Sequence, residues 1–166
     1  MHAMAQLKIR TEQDPALRKK SREVTEITGR TLTLLNDMLE TMRRADGCGL
    51  AAPQVGVLRR IVVIEVTPGE VLELINPKII SQSGEMTGVE GCLSVPGKQG
   101  IVKRPSYVRV EALDRNGVIQ TYEGTELLAR CLCHEIDHLD GILYTDKAEK
   151  IIYPDEDGEY SEDETV

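Results

Sequence analysis

The chain of 166 residues contains no tryptophan and no phenylalanine, and only five tyrosines. Its core must therefore be built from Leu, Ile, Val and Met, which a chain of this length can do without disulfide staples. Long apolar runs are missing as well. The longest, Ile61 to Val66, is interrupted by Glu65 and is far too short to cross a bilayer, so no membrane association is expected. No segment near the amino terminus reads as a signal peptide, which points to a reducing cytoplasm. There the four cysteines, Cys48, Cys92, Cys131 and Cys133, are expected as metal ligands or small buried residues rather than as disulfides. An excess of positive charge is also lacking. The net charge is −8, and seven of the 28 acids lie in 154–166, which leaves 21 acids against 20 bases elsewhere. Direct nucleic-acid binding is not expected from such a body. The run Asp155-Glu156-Asp157-Gly158-Glu159 reads as solvated and disordered, so the chain divides into one domain over 1–153 and an acidic tail over 154–166.

Against this background, His134-Glu135-Ile136-Asp137-His138 stands out. Two imidazoles four residues apart on a helix point the same way and can hold one divalent ion. The carboxylate between them belongs just outside the coordination sphere, where it exchanges protons with an attacking water. A catalytic metal usually takes three protein ligands and keeps one open position, so a third donor is needed. His2, near the chain start, is a poor candidate. Cys131 lies about 60° around the helix from His134 and Cys133 about 100°. Cys133 therefore faces elsewhere, and Cys131, one turn before His134, is better placed to line a cavity. Cys92, within Glu90-Gly91-Cys92-Leu93-Ser94-Val95-Pro96-Gly97, stands among turn formers whose exposed backbone can carry a thiolate onto the helix. Taken alone, it reads more readily as a small buried apolar residue than as a ligand.

Apolar spacing at Leu34, Leu35, Met38, Leu39, Met42 and Ala45 predicts an amphipathic helix over Glu26 to Ala45. Strands are expected at Ile61 to Val66 and Val71 to Ile75 around Pro68-Gly69, then at Lys78 to Gln82 and Gly84 to Val89. Two more, Tyr107 to Leu113 and Val118 to Tyr122, are joined through Asn116-Gly117. The motif helix runs from an N-cap at Thr125 to a stop at Gly141. This order indicates an α+β fold, with antiparallel sheets packed around a C-terminal metal-binding helix and an amphipathic helix near the N-terminus.

Three segments, in order, resemble the peptide deformylase family of bacterial type: Gly47-Cys48-Gly49-Leu50-Ala51-Ala52-Pro53-Gln54, Glu90 to Ser94, and His134 to Gly141. The similarity extends from about Ile9 to Asp146. It implies one catalytic domain that hydrolyses the N-formyl group of formyl-methionyl nascent peptides and releases formate. The resemblance implies Cys92, His134 and His138 as metal ligands and Fe²⁺ as the ion, with Zn²⁺, Ni²⁺ or Co²⁺ able to take its place. It implies Glu135 as general base and acid, with the Gln54 amide and the Leu93 N–H as donors to the developing oxyanion. Substrate contacts are implied for Cys48, Gly49, Glu90, Gly91, Leu127, Arg130 and Cys131. Of these, Cys48, Leu127 and Cys131 wall an apolar methionine pocket, and the stem of Arg130 adds to the wall while its head reaches water. The stretch Cys48–Gly49 is implied as a peptide-binding edge. Some members end in a basic helix associated with ribosome docking, which this sequence lacks, so any ribosome contact would be weak, transient or made elsewhere.

Two other readings share the helix motif. A zinc peptidase of another class would require a downstream acid such as Asp146 or Glu149 as third ligand. A structural metal module would close four ligands, Cys131, Cys133, His134 and His138, around an ion with no open position.

Overall fold

The computed structural model describes residues 5–154. The tail over 155–166 and His2 lie outside the described residues. Among the described residues, eight strands, β1 (Gly49–Ala51), β2 (Ile61–Ile64), β3 (Leu72–Ser83), β4 (Met86–Cys92), β5 (Val95–Arg104), β6 (Tyr107–Leu113), β7 (Ile119–Thr125) and β8 (Lys150–Ile152), form two sheets: a five-stranded one in the order β1-β2-β3-β6-β7 and a three-stranded one in the order β4-β5-β8. Every pairing between these strands is antiparallel.

Helix α1 (Gly29–Arg44) starts three residues later than the apolar spacing suggested. Extended backbone at Thr28 takes the N-cap position, and its N–H donates to Thr31 Oγ1 at 3.1 Å. The short strand β1 (Gly49–Ala51) pairs with β2 (Ile61–Ile64), which is buried along its whole length. The pleat of β2 serves two cores: Val62 and Ile64 join residues of α2 (Glu126–Leu139), while Ile61 and Val63 join Leu35, Met38 and Met42 of α1. A strand covered on both faces shows no polar alternation, which is why Ile61-Val62-Val63-Ile64 reads as a continuous apolar run.

Two expected strands, 71–75 and 78–82, are a single strand, β3 (Leu72–Ser83). What interrupts the pattern at Asn76-Pro77 is a bulge, with the register against β6 shifting between Ile75 and Lys78. Asn76 adopts φ +53°, a conformation asparagine tolerates, and its side chain locks onto Val24: Oδ1 accepts from the backbone N–H at 2.8 Å and Nδ2 donates to the carbonyl at 2.9 Å.

Strands β4 (Met86–Cys92) and β5 (Val95–Arg104) form a hairpin with Leu93-Ser94 at its tip. The 90–97 stretch is thus not an exposed turn region; Cys92 and Val95 are paired and buried. Pro96, Gly97 and Gly100 hid β5 in the sequence. Gly100 is required by close packing, since a Cβ there would stand 2.9 Å from the Tyr144 ring. The strands β6 (Tyr107–Leu113) and β7 (Ile119–Thr125) form a second hairpin, and β7 runs directly into α2. Helix α3 (Tyr144–Lys147) and β8 (Lys150–Ile152), neither of them expected, close the small sheet from outside.

Helix α2 contacts both sheets. It ends in paired capping bonds, Gly141 N–H to His138 O at 3.2 Å and Ile142 N–H to Asp137 O at 3.0 Å, with Gly141 at φ +75°. No helix among the described residues is long and apolar enough to cross a membrane. A Cβ at Gly141 would sit 2.6 Å from the Arg18 carbonyl oxygen. Gly141→Ala should therefore lose about 1–2 kcal/mol from the left-handed backbone alone, with the clash adding to it, read as a lower urea midpoint at unchanged m-value.

Candidate metal centre and active site

The end of β4 and the C-terminal half of α2 bring Cys92, His134 and His138 together, with their ligating atoms all within 4.8 Å of one another. His134 Nε2 and His138 Nε2 are 3.2 Å apart, and Cys92 Sγ is 3.4 Å from His138 Nε2. A tetrahedral ion with ordinary nitrogen and thiolate bond lengths would need edges of about 3.3 Å and about 3.6 Å, so the donors fit such an ion. All three residues are buried.

Protonation states follow from the surroundings. His134 Nδ1 donates to Glu90 Oε2 at 3.0 Å, which leaves the Nε2 lone pair directed at the other donors. Burial, and then the neighbouring His134, push the His138 imidazole towards its neutral form. Burial, and then Glu135, push the Cys92 thiol up, against the pull of the Ser94 N–H that donates to its sulfur at 3.4 Å. A cation is the missing counter-charge for a thiolate in this place. Glu135 is fully buried, and neither of its oxygens has a hydrogen-bond partner among the described residues. Its Oε1 stands 4.0 Å from His138 Nε2, close enough to serve the centre without joining it. Burial, then Cys48, raise this carboxyl well above the usual carboxylate range.

Glu90 is the support of this centre. Its oxygens accept from Arg104 Nε at 2.7 Å, Arg104 Nη2 at 2.9 Å and Arg130 Nη1 at 3.0 Å, besides His134. Burial opposes the charge on Glu90, but Arg104 and then His134 hold its carboxyl below the usual range. Gln54 lies in the 3₁₀ turn Ala52–Val55 after β1. Its Oε1 accepts from the Ala51 N–H at 2.9 Å, which fixes the amide so that Nε2 points at Ser94 Oγ, 3.0 Å away, and at Cys92 Sγ, 3.6 Å away.

A family profile described as Polypeptide deformylase matches residues 6–152. The chain belongs to the polypeptide deformylase family. It is 61% identical over 139 residues to a peptide deformylase of Alkaliphilus metalliredigens, an alignment covering 84% of this chain and 94% of that one. It is 57% identical over 150 residues to one from Agathobacter rectalis, covering 90% and 94%. Among solved structures, a Legionella pneumophila peptide deformylase superposes with a TM-score of 0.85 at 45% identity, covering 87% of each chain. A peptide deformylase from Synechococcus elongatus in complex with actinonin gives a TM-score of 0.85 at 36% identity, covering 99% of this chain and 95% of that one.

Within this deformylase fold, Leu93 stands at the hairpin tip beside Cys92, its side chain over Gly47, where a Cβ would come within 2.6 Å of Leu93 Cδ1. Gly49 is held as close to Glu135, where a Cβ would be 2.5 Å from Oε2. Cys48 and Leu127 are half-buried and pack against the cluster that contains Cys131. The expectation for Arg130 is corrected. Its head does not reach water: the residue is 5% exposed, with Nη1 on Glu90 and on the Val102 carbonyl at 3.2 Å. The paired carboxylate nearby outcompetes solvent for the guanidinium. Glu90 likewise stands behind the centre, with both oxygens engaged.

Asp146 accepts from Arg18 and from the Leu143 N–H, and Glu149 pairs with Lys103, so neither is available as the third ligand of a peptidase. The Cys131 thiol donates to the Cys48 carbonyl at 3.6 Å, away from any cluster with Cys133. Sequence reasoning missed Arg104, Ser94 and Tyr144. A period-two pattern of Val102 and Arg104 on one face of β5 would have flagged Arg104, had the strand itself been recognised. Glu90→Gln should weaken metal affinity by about ten- to a hundredfold, measured by chelator competition, because the His134 ring loses its charged acceptor.

Proposed function

We propose that the chain removes the N-formyl group from formyl-methionyl nascent peptides, using Cys92, His134 and His138 to hold a divalent ion and Glu135 to move the proton. The observation that carries this reading is a fully buried carboxylate without partners, set beside three converging ligand atoms. Bound there, the ion would polarise the formyl carbonyl and acidify water. The rest falls to the chain's own groups. Glu135 takes the proton of the attacking water and returns it to the departing amine nitrogen. As the formyl carbon becomes tetrahedral, its oxygen gathers charge, and the Gln54 Nε2 and the Leu93 N–H donate to it. The Ala51 bond to Gln54 Oε1 means that this donor needs no reorientation during the reaction.

Strand β1 is the end strand of its sheet, so a peptide can align along Gly49–Ala51 as an added strand. The bare Gly49 lets it approach Glu135. We assign Cys48, Leu127 and Cys131 to the wall of the methionine pocket, with Glu90 and Gly91 shaping the centre from behind and Arg130 acting through Glu90. The soft donor and two imidazoles suit Fe²⁺, and Zn²⁺, Ni²⁺ or Co²⁺ fit the same set. A cytoplasmic place near the ribosome follows from the substrate.

Glu135→Ala should keep its metal and lose formate release from a formyl-Met peptide by at least about 100-fold. Equal turnover would remove Glu135 from the base role. Gln54→Ala should lower kcat by about 100-fold with little change in KM, the pattern of a donor that acts mainly in the transition state.

A further inference from the structure

Next to the metal centre lies a pair of sulfurs whose thiol chemistry the proposed reaction does not call on. Cys131 Sγ is 3.9 Å from Cys48 Sγ. One thiol is buried on α2 and the other is half-buried just before β1. A disulfide needs the sulfurs at about 2.05 Å, so a closure of roughly 1.9 Å joins them. We propose that Cys48 and Cys131 are a peroxide-responsive modification site, whose disulfide reshapes the pocket wall and shuts off turnover. The loss of turnover rests on the proposed pocket, whereas the bond itself rests only on the sulfur geometry.

The chemistry balances with a peroxide as oxidant. The Cys48 thiolate attacks one oxygen of hydrogen peroxide; a sulfur–oxygen bond forms, the oxygen–oxygen bond breaks, and hydroxide leaves. Cys131 sulfur then attacks Cys48 sulfur, the sulfur–oxygen bond breaks, and hydroxide departs with the Cys131 proton as water. Two thiols are oxidised, and one peroxide is reduced to two waters, the second formed from the first hydroxide and the Cys48 proton. The half-buried Cys48 is the more accessible of the two and the better nucleophile. The Cys131 S–H, donating to the Cys48 sulfur, holds the Cys48 thiol below its usual range, and this adds to the geometric case. Coupling to the active site runs through Gly49, because a Cβ there would touch Cys131 Sγ at 2.8 Å and Glu135 Oε2 at 2.5 Å. Moving the Cys131 sulfur towards Cys48 therefore shifts the surface on which Glu135 also rests.

The test uses full-length protein loaded with Ni²⁺, so that peroxide does not consume a ferrous ion. Formate release is measured before peroxide, after it, and after dithiothreitol, with non-reducing peptide maps at each stage. The expected result is a peptide linking Cys48 to Cys131, lighter by two hydrogens, and a loss of turnover of about fivefold or more that dithiothreitol restores. Cys48→Ser, with Cys48→Ala as a second variant, should show no linked peptide and no reversible loss, each compared with its own starting rate. Absence of the linked peptide in the parent protein overturns the proposal. So does a linked peptide with unchanged turnover, or an equal reversible loss in both variants. Failure of the deformylase reading would show earlier, as no formate before peroxide is added.

Discussion

One buried carboxylate, Glu90, fixes the geometry on which the site depends. Each of its oxygens accepts two hydrogen bonds, and the donors come from β5 and α2 while Glu90 itself lies in β4. Arg104 also reaches Asp137 Oδ2 at 2.8 Å, three residues along the helix from His134. Glu90, His134, Asp137 and Arg104 thus close a ring that spans the hairpin and the helix. Burying two guanidiniums and two carboxylates in this way is costly in desolvation and is poor support for stability as such. What the ring supplies is position: α2 cannot slide or turn against the hairpin that carries Cys92 without breaking several charged bonds at once.

That rigidity matters because the remaining groups are held in electrostatic tension. Burial raises both the Cys92 thiol and the Glu135 carboxyl; Glu135 raises Cys92 further, and Cys48 and Glu90 raise Glu135. Two acids that both resist ionisation in one dry cavity form a site whose unmet need is positive charge. A divalent ion held by Cys92, His134 and His138 would answer that need, with Glu135 Oε1 standing 4.0 Å from His138 Nε2.

Much of this was legible in the sequence, for identifiable reasons. Local chemistry carries its own spacing: His134, Glu135 and His138 meet through helical periodicity, and Thr125 and Gly141 bound the helix by capping rules. Strands with ordinary turns, such as 107–113, were equally readable. Strand β5 was not, because Pro96, Gly97 and Gly100 look like turn residues until Tyr144 is seen pressing on Gly100. The head of Arg130 was misplaced for a related reason. Sequence assigns a lone arginine to water by default, and only the tertiary fold brings in a carboxylate from 40 residues away. Cys92 could be joined to the helix only through resemblance, since no local rule pairs a hairpin tip with a helix face.

The two sides of α2 at this level differ in the strength of what holds them. Towards Glu90, every contact is a charge-assisted bond of 3.0 Å or less. Towards β1, Cys131 meets Cys48 through sulfur bonds of 3.6 and 3.9 Å, and a thiol is a weak donor. The centre that must hold reacting atoms to a fraction of an ångström sits on the stiff side. The wall assigned to a flexible thioether side chain sits on the yielding one, where soft contacts adjust at little cost. Gly49 is where these two sides meet, since a Cβ there would stand 2.8 Å from Cys131 Sγ and 2.5 Å from Glu135 Oε2.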